Sequence, residues 1–275
     1  MTSPVVLITG SSSGIGRALC EQFHTRGARV VATARNLDAL APLAAQGMKT
    51  LRLDVTEAET VQQVVKAVYE AEGRIDVLIN NAGYGLFGPL LDLTEEEIAH
   101  QFQTNVFAPL YLVQQAAPVM KAQGSGLIVN IGSVSGIFTT PFAGAYCATK
   151  AAVHSLSDAL RIELAPFGIR VVTVQPGAIA SRFGHNALQT VEQTLKPDSW
   201  YVALQDNIRK RAGFSQLEAT SAETLAAQLV PILQRPHPPA EIRLGKKSLQ
   251  LPLMKRFLPT KVLDGILAKT FGLAG

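Results

Sequence analysis

Tyr146 and Lys150 stand four positions apart in the run Tyr146-Cys147-Ala148-Thr149-Lys150, at the head of a helical pattern that continues toward Pro166. Positions i and i+4 share one helix face, so the phenol and the ammonium become neighbours. A tyrosine titrates near about 10, too high for efficient proton transfer at neutral pH. An adjacent ammonium favours the phenolate, and a second positive charge would add to that effect. Bringing the phenol to about 7 takes roughly 4 kcal/mol of differential stabilisation, which two cations in a dry site can supply. The pair alone is commonplace on helices. Its weight comes from Ser133, which follows Asn130-Ile131-Gly132 at the end of an apolar run. A hydroxyl at the carboxyl end of a buried strand can hold a carbonyl oxygen and stabilise a developing alkoxide. The plainer alternative is that Ser133 caps a turn.

These residues need a scaffold, and the pattern predicts one. Short apolar, β-branched runs occur at Pro4–Thr9, Arg29–Ala34, Thr50–Leu53, Val77–Asn80, Gly126–Ile131 and Arg170–Gln175. They are continuously apolar rather than alternating, as expected for parallel strands buried on both faces. Helical segments lie between them. Gly14–Arg26 carries Ile15, Leu19 and Phe23 at helical spacing. Thr56 with Glu59, and Thr94 with Glu97, read as capping boxes that open helices reaching Ala71 and about Met120. Strands alternating with helices predict an α/β fold, a doubly wound parallel sheet of Rossmann type with helices on both faces. The expected organisation is one domain over 1–275, with a cofactor-binding and catalytic core at 1–177. Residues 178–216 follow no clear period and read as a substrate loop region. A helix is expected at Ser221–Leu233, a last strand at Ile242–Leu244, and an amphipathic C-terminal extension at 249–275.

Between the first strand and first helix lies Thr9-Gly10-Ser11-Ser12-Ser13-Gly14-Ile15-Gly16. Glycines there permit a tight turn, so that backbone at Gly10, Ser12, Ser13, Gly14, Ile15 and Gly16 can approach a pyrophosphate at a helix N-terminus. The spacing is G-x-x-x-G-x-G, not the generic G-x-G-x-x-G, so its context carries the reading. The second strand ends in Ala34-Arg35, where NAD binders place an acidic residue on the ribose. An arginine there attracts a 2′-phosphate through charge-assisted bonds, so NADP(H) is expected. Asp38, three residues on, keeps NAD(H) open. An oxidised nicotinamide would be the second cation near Tyr146.

In chain order the sequence presents TGSSSGIG, LDVT, NNAG, Asn105 in a helix, a strand-end Ser133, YCATK and PGAIAS. These pieces resemble the short-chain dehydrogenase/reductase family over about Pro4 to Ser181. The resemblance implies that Gly10, Gly14 and Gly16 shape the pyrophosphate loop and that Asp54 and Val55 flank the adenine. Asn81, Ala82 and Gly83 would line the cofactor channel. Tyr146 would be the acid/base, Lys150 would lower its pKa and hold the nicotinamide ribose, and Ser133 would orient the substrate. Asn105 would support a water that leads protons to bulk through Lys150. Pro176 and Gly177 would open the nicotinamide pocket, with Ile179 and Ser181 on its carboxamide side. Two departures stand out: Ser181 where members often have Thr, and Gly132 where many have Ser. The expected activity is NADP(H)-dependent interconversion of a carbonyl and an alcohol. A non-catalytic protein that senses NADP(H) is the alternative from another class, and a lyase or epimerase a third.

The 275 residues carry a net charge of +4, with 47% hydrophobic and 17% charged residues, which leaves ample material for a core. The cations are scattered, without the clustered footprint that nucleic-acid binding needs. Two cysteines, Cys20 and Cys147, fit neither a disulfide framework nor a metal spacing, so a reducing, cytoplasmic setting is expected. The N-terminus reads as a strand rather than a signal peptide. His24, His100, His154, His185 and His237 show no ligand spacing, and no metal is expected. His154 is read as packing on its own helix. Tyr84–Leu93, Ile137–Ala143 and parts of Ala178–Phe214 are apolar and suggest a lipophilic substrate. Tyr84–Leu90 also looks like the steroid- and retinoid-handling branch of that family. The C-terminal helix, with Val262, Leu263, Ile266, Leu267 and Phe271, allows three placements: over the cleft, against another subunit, or on anionic lipid. Family members commonly associate through the helices holding Asn105 and Tyr146, so a homodimer or homotetramer is expected.

Overall fold

The computed structural model describes residues 3–274 apart from 195 and 217, with the side chains of 182, 184–186, 193 and 215 outside that description. Strands β1 to β9 are Val5–Ile8, Arg29–Ala34, Lys49–Arg52, Val77–Asn80, Gly126–Ile131, Ile169–Pro176, Ile179–Ala180, Thr220–Ser221 and Glu241–Leu244. Among the described residues, seven of them form one parallel sheet in the order β3-β2-β1-β4-β5-β6-β9. Val6 pairs with Val30 on one side and Val77 on the other, so β1 is central and the winding reverses between β1 and β4. In such sheets that reversal opens a crevice at the carboxyl ends of the strands. The predicted strands all form, with ends shifted by a residue or two.

Burial explains why those runs were continuous. Val5 and Leu7 point into one apolar cluster, while Val6 and Ile8 point into the other. Both faces of β1 are therefore core, and a polar side chain on either would be stranded. Helices α1 to α6 are Gly14–Thr25, Ala41–Ala44, Ala58–Glu72, Glu95–Phe102, Ala108–Gln123 and Gly144–Leu164. Helices α7 to α11 are Arg182–Thr194, Gln205–Gly213, Ala222–Leu233, Gln250–Phe257 and Thr260–Thr270. Leu19 and Phe23 of α1 join Leu225 and Leu229 of α9 on one face of the sheet. Val61, Val64 and Val68 of α3 join Leu112 and Ala116 of α5 on the other. None of the described helices is long and apolar enough to cross a membrane.

Three local expectations are corrected. Thr56 does not cap α3: the N-cap is Glu57, and the Thr56 hydroxyl and N–H both donate to Asp54 Oδ1 instead. The Thr94–Glu97 capping box does form, but the helix it opens is not continuous. Gln103–Phe107 is a π-turn between α4 and α5, with the Ala108 N–H bonded to the Gln103 carbonyl. Pro109 has no N–H to offer the Asn105 carbonyl, and a bulge accommodates that missing bond. Finally, 178–216 is largely helical. Among the described side chains of its helices, Ala187, Val191 and Thr194 of α7 and Ile208, Arg211 and Ala212 of α8 are the buried ones, a stripe too narrow and too polar to announce a helix.

Candidate active site

The turn after β1 is built by close backbone approach. Gly10 and Gly14 have φ of +69° and +55°, a region that favours glycine. A Cβ on Gly10 would stand 2.8 Å from Ala82 Cα, and one on Gly14 would stand 2.9 Å from Ser181 Cβ. A Cβ on Gly16 would strike the Gly10 carbonyl oxygen. Asn81 stitches the turn to β4, its Nδ2 donating to the carbonyls of Thr9 and Gly10 at 3.0 Å. The Thr9 hydroxyl accepts from the N–H groups of Asn81 and Ala82. Ser13 opens α1 with no side-chain cap, which leaves the first amides of the helix to an anion.

The other predicted cofactor residues gather along the same wall. Ser12, Ser13, Ile15, Arg35, Asp54, Val55, Asn81, Ala82, Gly83, Pro176, Gly177, Ile179 and Ser181 all line one cavity of about 940 Å³. Gly16 lies under the turn, outside the lining. Burial works against the charge on Asp54, but two hydrogen bonds from Thr56 and the charges of Arg35 and Arg52 outweigh it and hold the carboxyl below its usual value. Arg35 is exposed at the end of β2. Gly177 and Ala178 donate to the carbonyls of Leu244 and Lys246, which holds the Pro176-Gly177 bend open at the sheet edge. The Ser181 hydroxyl accepts from the Phe183 N–H. A glycine cradle at a helix N-terminus, opening at the carboxyl edge of a parallel sheet, fits a dinucleotide.

The four residues of the other cluster also meet. Tyr146 and Ser133 face each other closely enough for the Ser133 side chain to pull the phenol's pKa down. Ser133 does cap a turn as well: its Oγ accepts from the Ser135 N–H at 3.1 Å. Lys150 Nζ lies 5.9 Å from the Tyr146 ring centre and donates to the Ile131 carbonyl at 2.8 Å. Asn105 Nδ2 donates to Tyr84 O and Thr149 Oγ1, while its Oδ1 accepts from the Tyr84 N–H. Its amide therefore ties the loop after β4 to α6.

The electrostatics of the polypeptide alone differ from expectation. Burial pushes Tyr146 up to about 12, against the smaller pulls of the Ser133 side chain and the Arg211 charge. Burial also brings Lys150 down to about 8, so its ammonium is easier to lose than an ordinary lysine's. The lysine is turned to the Ile131 carbonyl and contributes little to the phenol.

His154 packs as expected, and its ring also reaches the end of β5. Its imidazole fills the space above Gly132 and Gly136, where a Cβ on Gly136 would stand 2.6 Å from Cε1 and one on Gly132 would strike Nε2. Nε2 faces the Ser133 N–H at 3.4 Å, and burial first, then the Lys150 charge, holds its pKa down to about 4. Gly132 is thus explained by its neighbour one helix turn past Lys150. The side chain of His185 lies outside the described residues. Among the described residues no group of acidic, His and Cys side chains could hold a metal.

The substrate end of the cavity was read only as apolar segments. Phe87 stacks on Tyr146 at 5.9 Å between ring centres, and Phe183 tilts against Tyr146 at 5.3 Å. Leu251, Met254, Leu267 and Phe271 of the C-terminal segment close the opposite wall, so that segment covers the cleft. Arg211 of α8 reaches the same cavity. Nothing in the run Ile208-Arg209-Lys210-Arg211 distinguishes it from its exposed neighbours; only the burial of Ile208 and Ala212 on its face does.

A family model described as short chain dehydrogenase matches residues 4–192. The chain is 38% identical over 233 residues to the short-chain dehydrogenase ptmH of Penicillium ochrochloron, covering 84% of each. It superposes with a TM-score of 0.72 and 27% identity on an alcohol dehydrogenase of Thermococcus sibiricus complexed with 5-hydroxy-NADP, covering 89% of this chain and 97% of that one. A short-chain dehydrogenase/reductase of Burkholderia phymatum in complex with NAD gives 0.79 and 26%, over 96% and 95% of the two chains. The turn, the sheet and the match over most of the chain lead to one conclusion: this protein belongs to the short-chain dehydrogenase/reductase family, oxidoreductases that act on small molecules with a nicotinamide cofactor.

Proposed function

We propose that the protein interconverts a lipophilic carbonyl compound and its alcohol with NADP(H). The observation that carries this reading is the Tyr146 phenol beside Ser133 in the wall of the cavity that also contains the glycine turn and Arg35. When bound, NADPH would supply the hydride for the carbonyl carbon, and the positive charge of the oxidised nicotinamide would favour phenolate at Tyr146. The Ser133 hydroxyl holds the carbonyl oxygen, and Tyr146 passes its proton to that oxygen as the alcohol forms. Lys150 holds the ribose and recharges the phenol, while Asn105 fixes the loop at Tyr84 so that the cofactor channel keeps its shape. Arg35 selects the 2′-phosphate. Gly10, Ser12, Ser13, Gly14, Ile15 and Gly16 hold the pyrophosphate, Asp54 and Val55 the adenine, and Asn81, Ala82 and Gly83 the channel. Pro176, Gly177, Ile179 and Ser181 take the nicotinamide.

Exposed Phe107, Ile162 and Phe167, near α5 and α6, support assembly into a homodimer or homotetramer. Buried free thiols at Cys20 and Cys147 support a reducing, cytoplasmic setting. Exposed Leu249, Leu253 and Phe257 beside Lys255 and Arg256 support peripheral contact with anionic lipid.

The test is loss of NADPH absorbance against a panel of aldehydes, ketosteroids and quinones, with NADH in parallel. Tyr146→Phe should lower kcat by about 10²–10⁴-fold, the usual contribution of a placed acid, while NADPH still binds by fluorescence. Undiminished turnover in that variant would remove Tyr146 from the chemistry. Silence of the parent protein across the panel, with NADPH bound, would favour the sensor reading.

A further inference from the structure

Arg211 is 6% exposed, yet among the described residues it has no carboxylate partner. An arginine does not escape burial by losing its proton, so a buried guanidinium needs acceptors for its five N–H groups. The structure supplies one: Nε donates to Thr140 Oγ1 at 2.6 Å. Phe87 gives the guanidinium a ring face, 5.1 Å from Cζ to the ring centre. Among the described residues the end of the fork, with its two amino groups, has no hydrogen-bond partner, and Arg211 belongs to the cavity wall. The acids that reach that wall, Asp54, Glu96 and Glu97, come from the loop after β3 and from α4, and none pairs with Arg211. Burying a charge this way is costly unless something in the cavity completes it.

We propose that Arg211 receives a carboxylate carried by the substrate, so that the preferred carbonyl compound is an oxo acid with an apolar body. The inference rests on the carbonyl-reducing reading above and names its substrate class. The shape of the free fork fits it, because two parallel N–H groups match the two oxygens of a carboxylate. The distance to the chemistry fits as well: Phe87 touches both Arg211 and Tyr146, so one molecule can span them. Phe183, Leu267 and Phe271 supply the apolar walls between. Thr140, by engaging Nε, fixes the direction in which the fork points.

A series of ω-oxo carboxylic acids of increasing length, each paired with its methyl ester, tests this with NADPH as reductant. The parent protein should favour the acid over the ester by about 10–100-fold in kcat/KM at the best length, the worth of one charge-assisted pair. In Arg211→Met that preference should collapse, chiefly through KM for the acid, and Arg211→Lys should restore part of it. Equal use of acid and ester by the parent protein would overturn the proposal without any variant. Equal losses on both in Arg211→Met would also overturn it, since they would show that the cation serves Tyr146 or the fold. Calorimetry with decanoate and methyl decanoate separates this from the reaction itself. Binding of decanoate alone, abolished in Arg211→Met, would support the carboxylate site even if no carbonyl were reduced. If the two ligands bind alike, the site does not read charge.

Discussion

In the proposed function, cofactor choice turns on Arg35. It follows the buried Ala34 at the end of β2, is exposed, and its charge already acts on Asp54 across the mouth of the turn. A 2′-phosphate placed there would gain one or two charge-assisted bonds, each worth about 1.5–3 kcal/mol. Arg35→Asp should therefore lower kcat/KM for NADPH by about ten- to a hundredfold and leave NADH little changed or improved. An unaltered NADPH/NADH ratio would mean that the phosphate is read by another group. Residues of this kind were legible because their place in a strand–turn–helix unit gives them meaning before any coordinates exist. Tyr146 and Lys150 were legible for the same reason. The burial of Arg211 was not, because it depends on which face of α8 turns inward, and Ile208 and Ala212 beside it do not declare that face.

At the level of elements, the meeting of β5 with α6 shows what spacing alone conceals. Gly132 looked like a loss of hydroxyl; it is the space into which His154 fits. Gly132→Ser should push a Cβ into the imidazole and cost about 1–3 kcal/mol of stability, as overpacking usually does. His154→Ala should recover much of that loss in the double variant, because the two side chains compete for one volume. Urea unfolding of both single variants and the pair measures the coupling. Additive effects would mean that the imidazole is not seated there. The sheet was readable because parallel strands covered on both faces must be apolar throughout, as Val5 to Ile8 are. The π-turn at Asn105 was announced only by Pro109, four residues on, and went unread. Helices α7 and α8 were hidden for the opposite reason to β1: they bury too little to show a period.

Across the whole molecule, several titratable groups are buried near the carboxyl edge of the sheet, and their sum sets how stability follows pH. His154 has a pKa brought from 6.5 down to about 4, chiefly by burial. The unfolded chain therefore binds this proton first, so stability present above pH 6.5 is lost as pH falls toward 4. The loss amounts to roughly 3 kcal/mol, at 1.36 kcal/mol per pH unit. On the alkaline side, burial raises Cys20 from 9.0 to about 12 and Tyr146 from 10.0 to about 12, and raises Cys147 as well. These acids keep their protons in the folded protein, so their contribution is complete below pH 9 and is lost as pH rises toward 12. Lys150, lowered from 10.5 to about 8, pulls the other way between those values, unopposed from 8 to 9 and outweighed once the two thiols and then the phenol titrate. Unfolding free energy measured in urea should thus be level from about pH 6.5 to 8, rise slightly toward 9, and fall below 6.5 and above about 10. His154→Gln should flatten the limb between pH 6.5 and 4, and Cys20→Ala should shallow the limb above about 10. An acid limb of unchanged slope in His154→Gln would show that the imidazole gains its proton without loss of the fold.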